Sequence, residues 1–186
     1  DFALVRRKDK ESFFPHYPFR GKVIYFYDPG GENANAAVLF RVARLRGIRE
    51  AKVEEVLSKF EGLEHRLERL GQIDGVEFVN DSKCTTLEAL AWALDSFPDG
   101  KVILLAGGHA KGADFCLVRD RIHKKLKQAV VYGESQSLLW ESWRGAAPLL
   151  RATDLNEAFE EALKAARPGD AILLSPACAS FDQFSN

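Results

Sequence analysis

The chain has 186 residues, 46% hydrophobic and 28% charged, which is enough for one ordinary domain and part of another. Its formal net charge of -1 excludes the basic surface of a nucleic-acid or anionic-membrane binder. No apolar run reaches the roughly 18 residues of a bilayer span. The opening DFALVRRKDK has no apolar segment behind its basic residues and is not read as a signal peptide. Cys84, Cys116 and Cys178 are far apart with no CxxC, so reduced thiols and a cytoplasmic location are expected rather than disulfides or a zinc site. There is no methionine, even at position 1, as expected for a piece of a longer protein or a chain from which methionines have been lost.

The run Val23–Tyr27 is β-branched and aromatic and reads as a strand, broken by Pro29, Gly30 and Gly31. Residues 35–46 show helical spacing (Val38, Leu39, Val42, Ala43, Leu45) with Gly47 as C-cap. Val53, Val56, Leu57 and Phe60 predict a second short helix that Gly62 ends. Arg41, Arg44, Arg46 and Arg49 read as a solvated face.

After Gly62 short apolar strands alternate with amphipathic helices. Strands are expected at Val76–Val79, Val102–Ala106, Ala129–Tyr132 and Ala171–Leu174. Leu87, Leu90, Ala91 and Leu94 mark one helix. Asp154 and Glu157 form a capping signature before another (Leu155, Ala158, Phe159, Ala162, Leu163), which Pro168-Gly169 closes. Uniformly apolar strands of this kind belong to a parallel sheet covered on both faces, an α/β, Rossmann-like fold. Ligands of such sheets bind beyond the C-terminal strand ends, which here read NDSK, GGHAKG, GES and SPACAS. No internal repeat or low-complexity segment interrupts the pattern.

Each of these ends admits a functional and a structural reading. Asn80-Asp81-Ser82-Lys83-Cys84-Thr85-Thr86 leaves a strand and enters a helix, which suits an anion but equally an N-cap cluster. In Gly107-Gly108-His109-Ala110-Lys111-Gly112 the glycines allow close backbone approach and Lys111 adds charge, yet a tight strand-to-helix turn has the same composition. Ser180 is a candidate hydrogen-bond donor, whereas Cys178 has no base near it in sequence and reads as a small buried thiol. His65-Arg66 could bind phosphate or serve only structure. His16, His109 and His123 lack metal-ligand spacing, and Trp92, Trp140 and Trp143 read as packing residues. No GxxxxGK[ST] loop is present.

Taken together, LEHRLE (63–68), VNDSKCTT (79–86), LLAGGHAKGADF (104–115) and PGDAILLSPACASFDQF (168–184) resemble the C-terminal domain of the Mur ligases, in the form of the D-glutamate-adding type. Cys84 stands where that family usually has alanine. The resemblance implies a cytoplasmic, ATP-dependent ligase of peptidoglycan synthesis that adds D-glutamate to UDP-N-acetylmuramoyl-L-alanine through an acyl phosphate, with Mg2+ assisting. It implies that Lys111, Thr85 and Ser180 hold the carboxylates of D-glutamate and that Arg66, Asp81 and Lys83 face the nucleotide. It further implies that residues 1–61 are the tail of a central ATP-binding domain, with a loop missing near 28–33 where the family's His-Asn pair is not seen. Residues 62–186 are then the C-terminal domain, truncated at its end, and most metal ligands lie outside this chain. A monomer with no nucleic-acid or membrane partner is expected, as is inactivity of the 186 residues alone. Two alternatives stay open: a sister Mur or folylpolyglutamate-type ligase, and a non-catalytic Rossmann-like module for a small anion.

Overall fold

The computed structural model describes residues 2–6, 22–26, 34–60 and 62–182. Contacts divide the chain into two units, Asp1–Glu61 and Gly62–Asn186. In the first, strands β1 (Phe2–Arg6) and β2 (Lys22–Phe26) pair in parallel. Helix α1 (Ala34–Leu45) ends where Gly47 takes φ +69°, and helix α2 (Glu50–Ser58) follows. Among the residues whose burial is described, Ala43 and Val53 are the buried apolar positions of this unit, while Arg41, Arg44, Arg46 and Arg49 are exposed, in keeping with a solvated face. The second helix stops at Ser58, earlier than Gly62, and Phe60 is 58% exposed. The DPGG break and the region of Asn33 fall outside the described residues.

The second unit is a six-stranded sheet of β3 (Glu68–Ile73), β4 (Val76–Asn80), β5 (Val102–Gly107), β6 (Leu126–Tyr132), β7 (Leu149–Arg151) and β8 (Ala171–Ala177). Their order is β3-β4-β8-β5-β6-β7, and every pairing is parallel except β3 with β4. That antiparallel pair turns through Asp74 (φ +51°) and Gly75 (φ +77°), the backbone a two-residue hairpin turn demands. β6 begins at Leu126 and β8 runs on to Ala177, both longer than their apolar runs.

Side chains alternate across the strands, so each central strand feeds both faces. One set (Val79, Val102, Leu104, Ala106, Val131, Leu173) packs under helices α3 (Leu87–Asp95), α4 (Arg119–Lys125) and α5 (Gln136–Trp143), with a 3-10 turn at Phe115–Val118. The other set (Ile103, Leu105, Val130, Ile172) meets α6 (Leu155–Ala165) through Ala158 and Ala162. Fully buried Leu90, Leu94 and Leu139 contribute about 1.5–3 kcal/mol each. With α6 lying against the strands on its side, an apolar groove of about 380 Å³ remains between Phe78, Phe159 and Leu174, rimmed by Asn80 and Ser82.

Helix starts follow their caps. Thr86 accepts from the Ala89 N–H at 3.3 Å and Asp154 from the Glu157 N–H at 2.9 Å. Glu157 reaches past Asp154 to the Thr153 N–H at 2.6 Å, a capping box displaced by one residue. Of the three tryptophans, Trp143 is fully buried and Trp140 lies under Arg151. Trp92 is 66% exposed, which corrects its reading as a packing residue: the inner face of α3 is filled by Leu87, Leu90, Ala93 and Leu94.

Candidate functional site

The parallel pairing of β4, β8, β5 and β6 brings their C-terminal ends to one edge of the sheet. There the loops are tied together by backbone. The His109 N–H donates to the Ala179 carbonyl at 2.7 Å and the Ala179 N–H to the His109 carbonyl at 3.1 Å. This bridge sets the GGHAKG loop against SPACAS, with Lys111 two residues from one side and Ser180 next to the other. The Ala177 N–H donates to the Cys84 carbonyl at 2.9 Å, which sets Thr85 beside the same strand end. Gly108 is required: its φ is +122° and a Cβ there would lie 2.3 Å from the Ala179 oxygen.

Lys111, Lys83, Arg66 and Ser180 are exposed and Thr85 is half-buried. The side chains of Lys111, Lys83, Thr85 and Ser180 make no hydrogen bond or ion pair with another described residue. Thr85 directly precedes the capped N-terminus of α3, where partial positive charge favours an anion. Ammonium groups, hydroxyls and a helix N-terminus are each of a kind that suits an anion.

Asp81 is different. It is 7% exposed, and its carboxylate accepts from the Leu67 N–H at 3.1 Å and the Ser175 hydroxyl at 2.8 Å. Burial pushes its pKa up, opposed by those two bonds and by Arg66. Asp81 thus ties the 63–67 turn, which carries Arg66, to β8. Lys83 is fixed on the same turn through its N–H, which donates to the His65 carbonyl at 3.2 Å. The six expected residues therefore form two groups: Arg66, Asp81 and Lys83 around the 63–67 turn, and Lys111, Thr85 and Ser180 along the edge formed by β4, β8 and β5.

Cys178 is 2% exposed, with its sulfur 3.5 Å from the Ser135 hydroxyl and its pKa raised by burial. It is a packing residue and no nucleophile. Cys84 is equally buried and its thiol is pushed up to about 11, chiefly by burial. Ser175, Ser135, Glu68 and Glu134 are contributors the sequence did not single out. Ser135 donates to the Gly108 carbonyl and Glu134 pairs with His109 at 2.8 Å. A polar residue ending an otherwise apolar strand was the available signal for Ser175. No group of three or more His, Cys, Asp or Glu among the described residues could hold a metal ion. No described helix is long and apolar enough to cross a membrane.

Residues 65–178 match the family model described as Mur ligase, glutamate ligase domain. The chain is 44% identical over 152 residues to UDP-N-acetylmuramoylalanine--D-glutamate ligase of Aquifex aeolicus, covering 82% of this chain and 37% of that protein. It is 43% identical over 175 residues to the enzyme of the same name from Streptococcus gordonii, covering 90% and 38%. The chain thus spans little more than a third of the length of these curated relatives. Among solved structures it is similar to the MurF ligase of Thermotoga maritima in complex with ADP (TM-score 0.68, 17% identity, 93% of this chain and 49% of that one). It is also similar to Escherichia coli FolC in complex with ADP (TM-score 0.61, 15% identity, 78% and 37%). At these identities the likeness is one of fold.

Proposed function

Given that the chain belongs to the Mur ligase family through its glutamate ligase domain, we propose that it is part of a ligase that joins D-glutamate to UDP-N-acetylmuramoyl-L-alanine at the expense of ATP. The reading rests above all on one observation. In a chain 44% identical to a D-glutamate ligase, the exposed Lys111 follows His109, which bridges to Ala179 next to Ser180, at the sheet edge where Thr85 also stands. A dicarboxylate needs a cation and hydroxyl donors, and these three side chains offer them. Residues 1–61 are, on this reading, the tail of a central ATP-binding domain and residues 62–186 the C-terminal domain.

In the proposed reaction the alanyl carboxylate displaces ADP from the γ-phosphate of ATP, giving an acyl phosphate. The amine of D-glutamate then attacks the acyl carbon, and the tetrahedral intermediate expels phosphate as the amide forms. This chain contributes positioning: Lys111, Thr85 and Ser180 hold the incoming amino acid so that its amine faces the acyl carbon. Arg66 and Lys83 offer positive charge to the nucleotide. Asp81 fixes the turn that carries Arg66, and the carboxylate lone pairs not used by Leu67 and Ser175 remain for a ribose hydroxyl. The described residues hold no cluster of three or more metal-ligating side chains, in keeping with magnesium ligands that lie mostly outside this chain.

The test is phosphate release by the full-length parent protein with ATP, magnesium and UDP-N-acetylmuramoyl-L-alanine, with and without D-glutamate. Release should depend on D-glutamate. Lys111→Ala should raise the KM for D-glutamate about tenfold to a hundredfold, the loss of one charged hydrogen bond. Release that depends on a different amino acid would move the protein to a sister ligase. No release from a folded parent protein would leave an anion-binding module. Turnover by the 186 residues alone would refute their assignment as part of a larger catalyst.

A further inference from the structure

The turn before β3 holds two non-glycine residues in the left-handed region, His65 (φ +64°) and Leu67 (φ +46°), each strained by about 1–2 kcal/mol. Such strain persists only where surroundings enforce it. The Leu67 N–H is held by Asp81, the His65 carbonyl by the Lys83 N–H, and the His65 N–H by Glu68 Oε2 at 2.9 Å. The His65 ring is held by Asn80, whose Nδ2 lies 2.8 Å from Nδ1 of the imidazole.

The orientation of the Asn80 amide is settled on both sides. Its Oδ1 accepts from the Ser82 N–H at 3.1 Å, and its Nδ2 also donates to Glu68 Oε2 at 3.3 Å. Turning the amide over would set NH2 against the Ser82 N–H and a carbonyl oxygen against a carboxylate. Two groups face His65 Nδ1, the Asn80 Nδ2 at 2.8 Å and, farther off, Glu68 Oε2 at 3.4 Å; with the nearer one a donor, Nδ1 accepts. The neutral imidazole therefore carries its proton on Nε2. The His65 side chain is 40% exposed, and the exposed Glu64 carboxylate lies 3.6 Å from Nε2, beyond hydrogen-bond length.

We propose that Asn80 is a positioning residue: it fixes His65 as the Nε2–H tautomer, so that this N–H, next to Arg66, donates to an oxygen of the bound nucleotide. The proposal rests on the reading that Arg66 and Lys83 face the nucleotide. Glu68 acts beside Asn80, holding both the amide and the backbone of the strained turn. The motif begins with asparagine for this purpose. Aspartate would set an acceptor against Nδ1 and draw the proton there, and leucine would leave the tautomer unselected.

The first experiment is nitrogen-15 NMR of the 186-residue chain labelled at its four histidines, with His65 assigned by loss of its signals in His65→Gln. The expected result is an unprotonated, pyridine-like Nδ1 and a protonated Nε2. Asn80→Leu should give averaged tautomers, and Asn80→Asp should move the proton to Nδ1, with unchanged circular dichroism showing that the fold survives. A wild-type ring protonated on Nδ1, or a tautomer unchanged in both variants, would overturn the proposal. The second experiment is the KM for ATP of the full-length parent protein. Asn80→Leu and His65→Gln should each raise it about tenfold, and the double variant no further. If Arg66→Ala and Lys83→Ala raise this KM while the Asn80 and His65 variants leave it unchanged, the donor role falls and the nucleotide reading stands. If all four leave it unchanged, both fall.

Discussion

Replacing Asp81 by alanine should destabilise the Gly62–Asn186 unit by about 2–4 kcal/mol. The substitution removes the acceptors of the Leu67 N–H and the Ser175 hydroxyl from a side chain with 7% exposure. Each hydrogen bond to a charged acceptor is worth about 1.5–3 kcal/mol. Their sum is offset by the desolvation that raises the Asp81 pKa and by the freedom of Ser175 to turn elsewhere. Asparagine keeps an oxygen for Leu67 and offers its amide to the Ser175 oxygen, so Asp81→Asn should lose only about 1 kcal/mol. Urea unfolding followed by tryptophan fluorescence measures this directly, since Trp92, Trp140 and Trp143 all lie in that unit. With a slope of about 2 kcal/mol per molar urea, the alanine variant should unfold roughly 1–2 M earlier and the asparagine variant about 0.5 M earlier. An alanine variant as stable as wild type would refute the tie between the 63–67 turn and β8. Acidity supplies an internal control. A folded pKa above the unfolded one means that Asp81 adds stability as pH falls through the folded value, so wild type should gain on Asp81→Asn in acid.

Asp170 should behave in the opposite sense. Its side chain is 3% exposed, and although burial pushes its pKa up, Lys127, the Arg167 N–H and Lys101 together hold it below the ordinary value. Asp170→Asn should lose about 1–3 kcal/mol at neutral pH by the same urea assay, and the difference from wild type should vanish as pH drops through the folded pKa. In the native chain only the exposed Cys116 should react promptly with a thiol reagent, and all three cysteines after denaturation; prompt native labelling of Cys84 or Cys178 would contradict their burial. Gly108→Ala must break the His109–Ala179 bridge or adopt a strained backbone. Its unfolding free energy should fall by about 1–3 kcal/mol or more, read from the thermal midpoint.

The strands that carry the site were legible because they are buried on both faces and read as continuous apolar runs. Their polar ends mark NDSK, GGHAKG and SPACAS as the candidate loops independently of any resemblance. β3 escaped notice because Glu68–Ile73 is an edge strand with Leu70 and Ile73 turned outward at 64% and 66% exposure, so its pattern is not that of a buried strand. The Asp74-Gly75 pair was nonetheless a hairpin signal of known type. β7 has three residues, too few for a period, and α4 and α5 are seven and eight residues long with weak stripes. In the site, residue types were readable but their partners were not. Nothing in NDSK distinguishes Asp81, committed inward to Leu67 and Ser175, from Lys83, left free at the surface. That division depends on β8, 94 residues from Asp81 to Ser175 along the chain.

The position of β8 also orders events during synthesis. β3 and β4 are made first, then β5, β6 and β7, and these two groups of strands are joined only through β8. Until the ribosome has passed Ala177, the nascent unit is two partial sheets with open edges at β4 and β5, each a template for wrong pairing. When β8 enters, it closes the sheet and completes the site at once, because Ser175 reaches Asp81, Ala177 meets Cys84 and Ala179 meets His109 on that one strand and its exit. A nascent chain halted before Ala171 should thus be an aggregation hazard with no ligand affinity, while one released past Ser180 acquires fold and site in the same step.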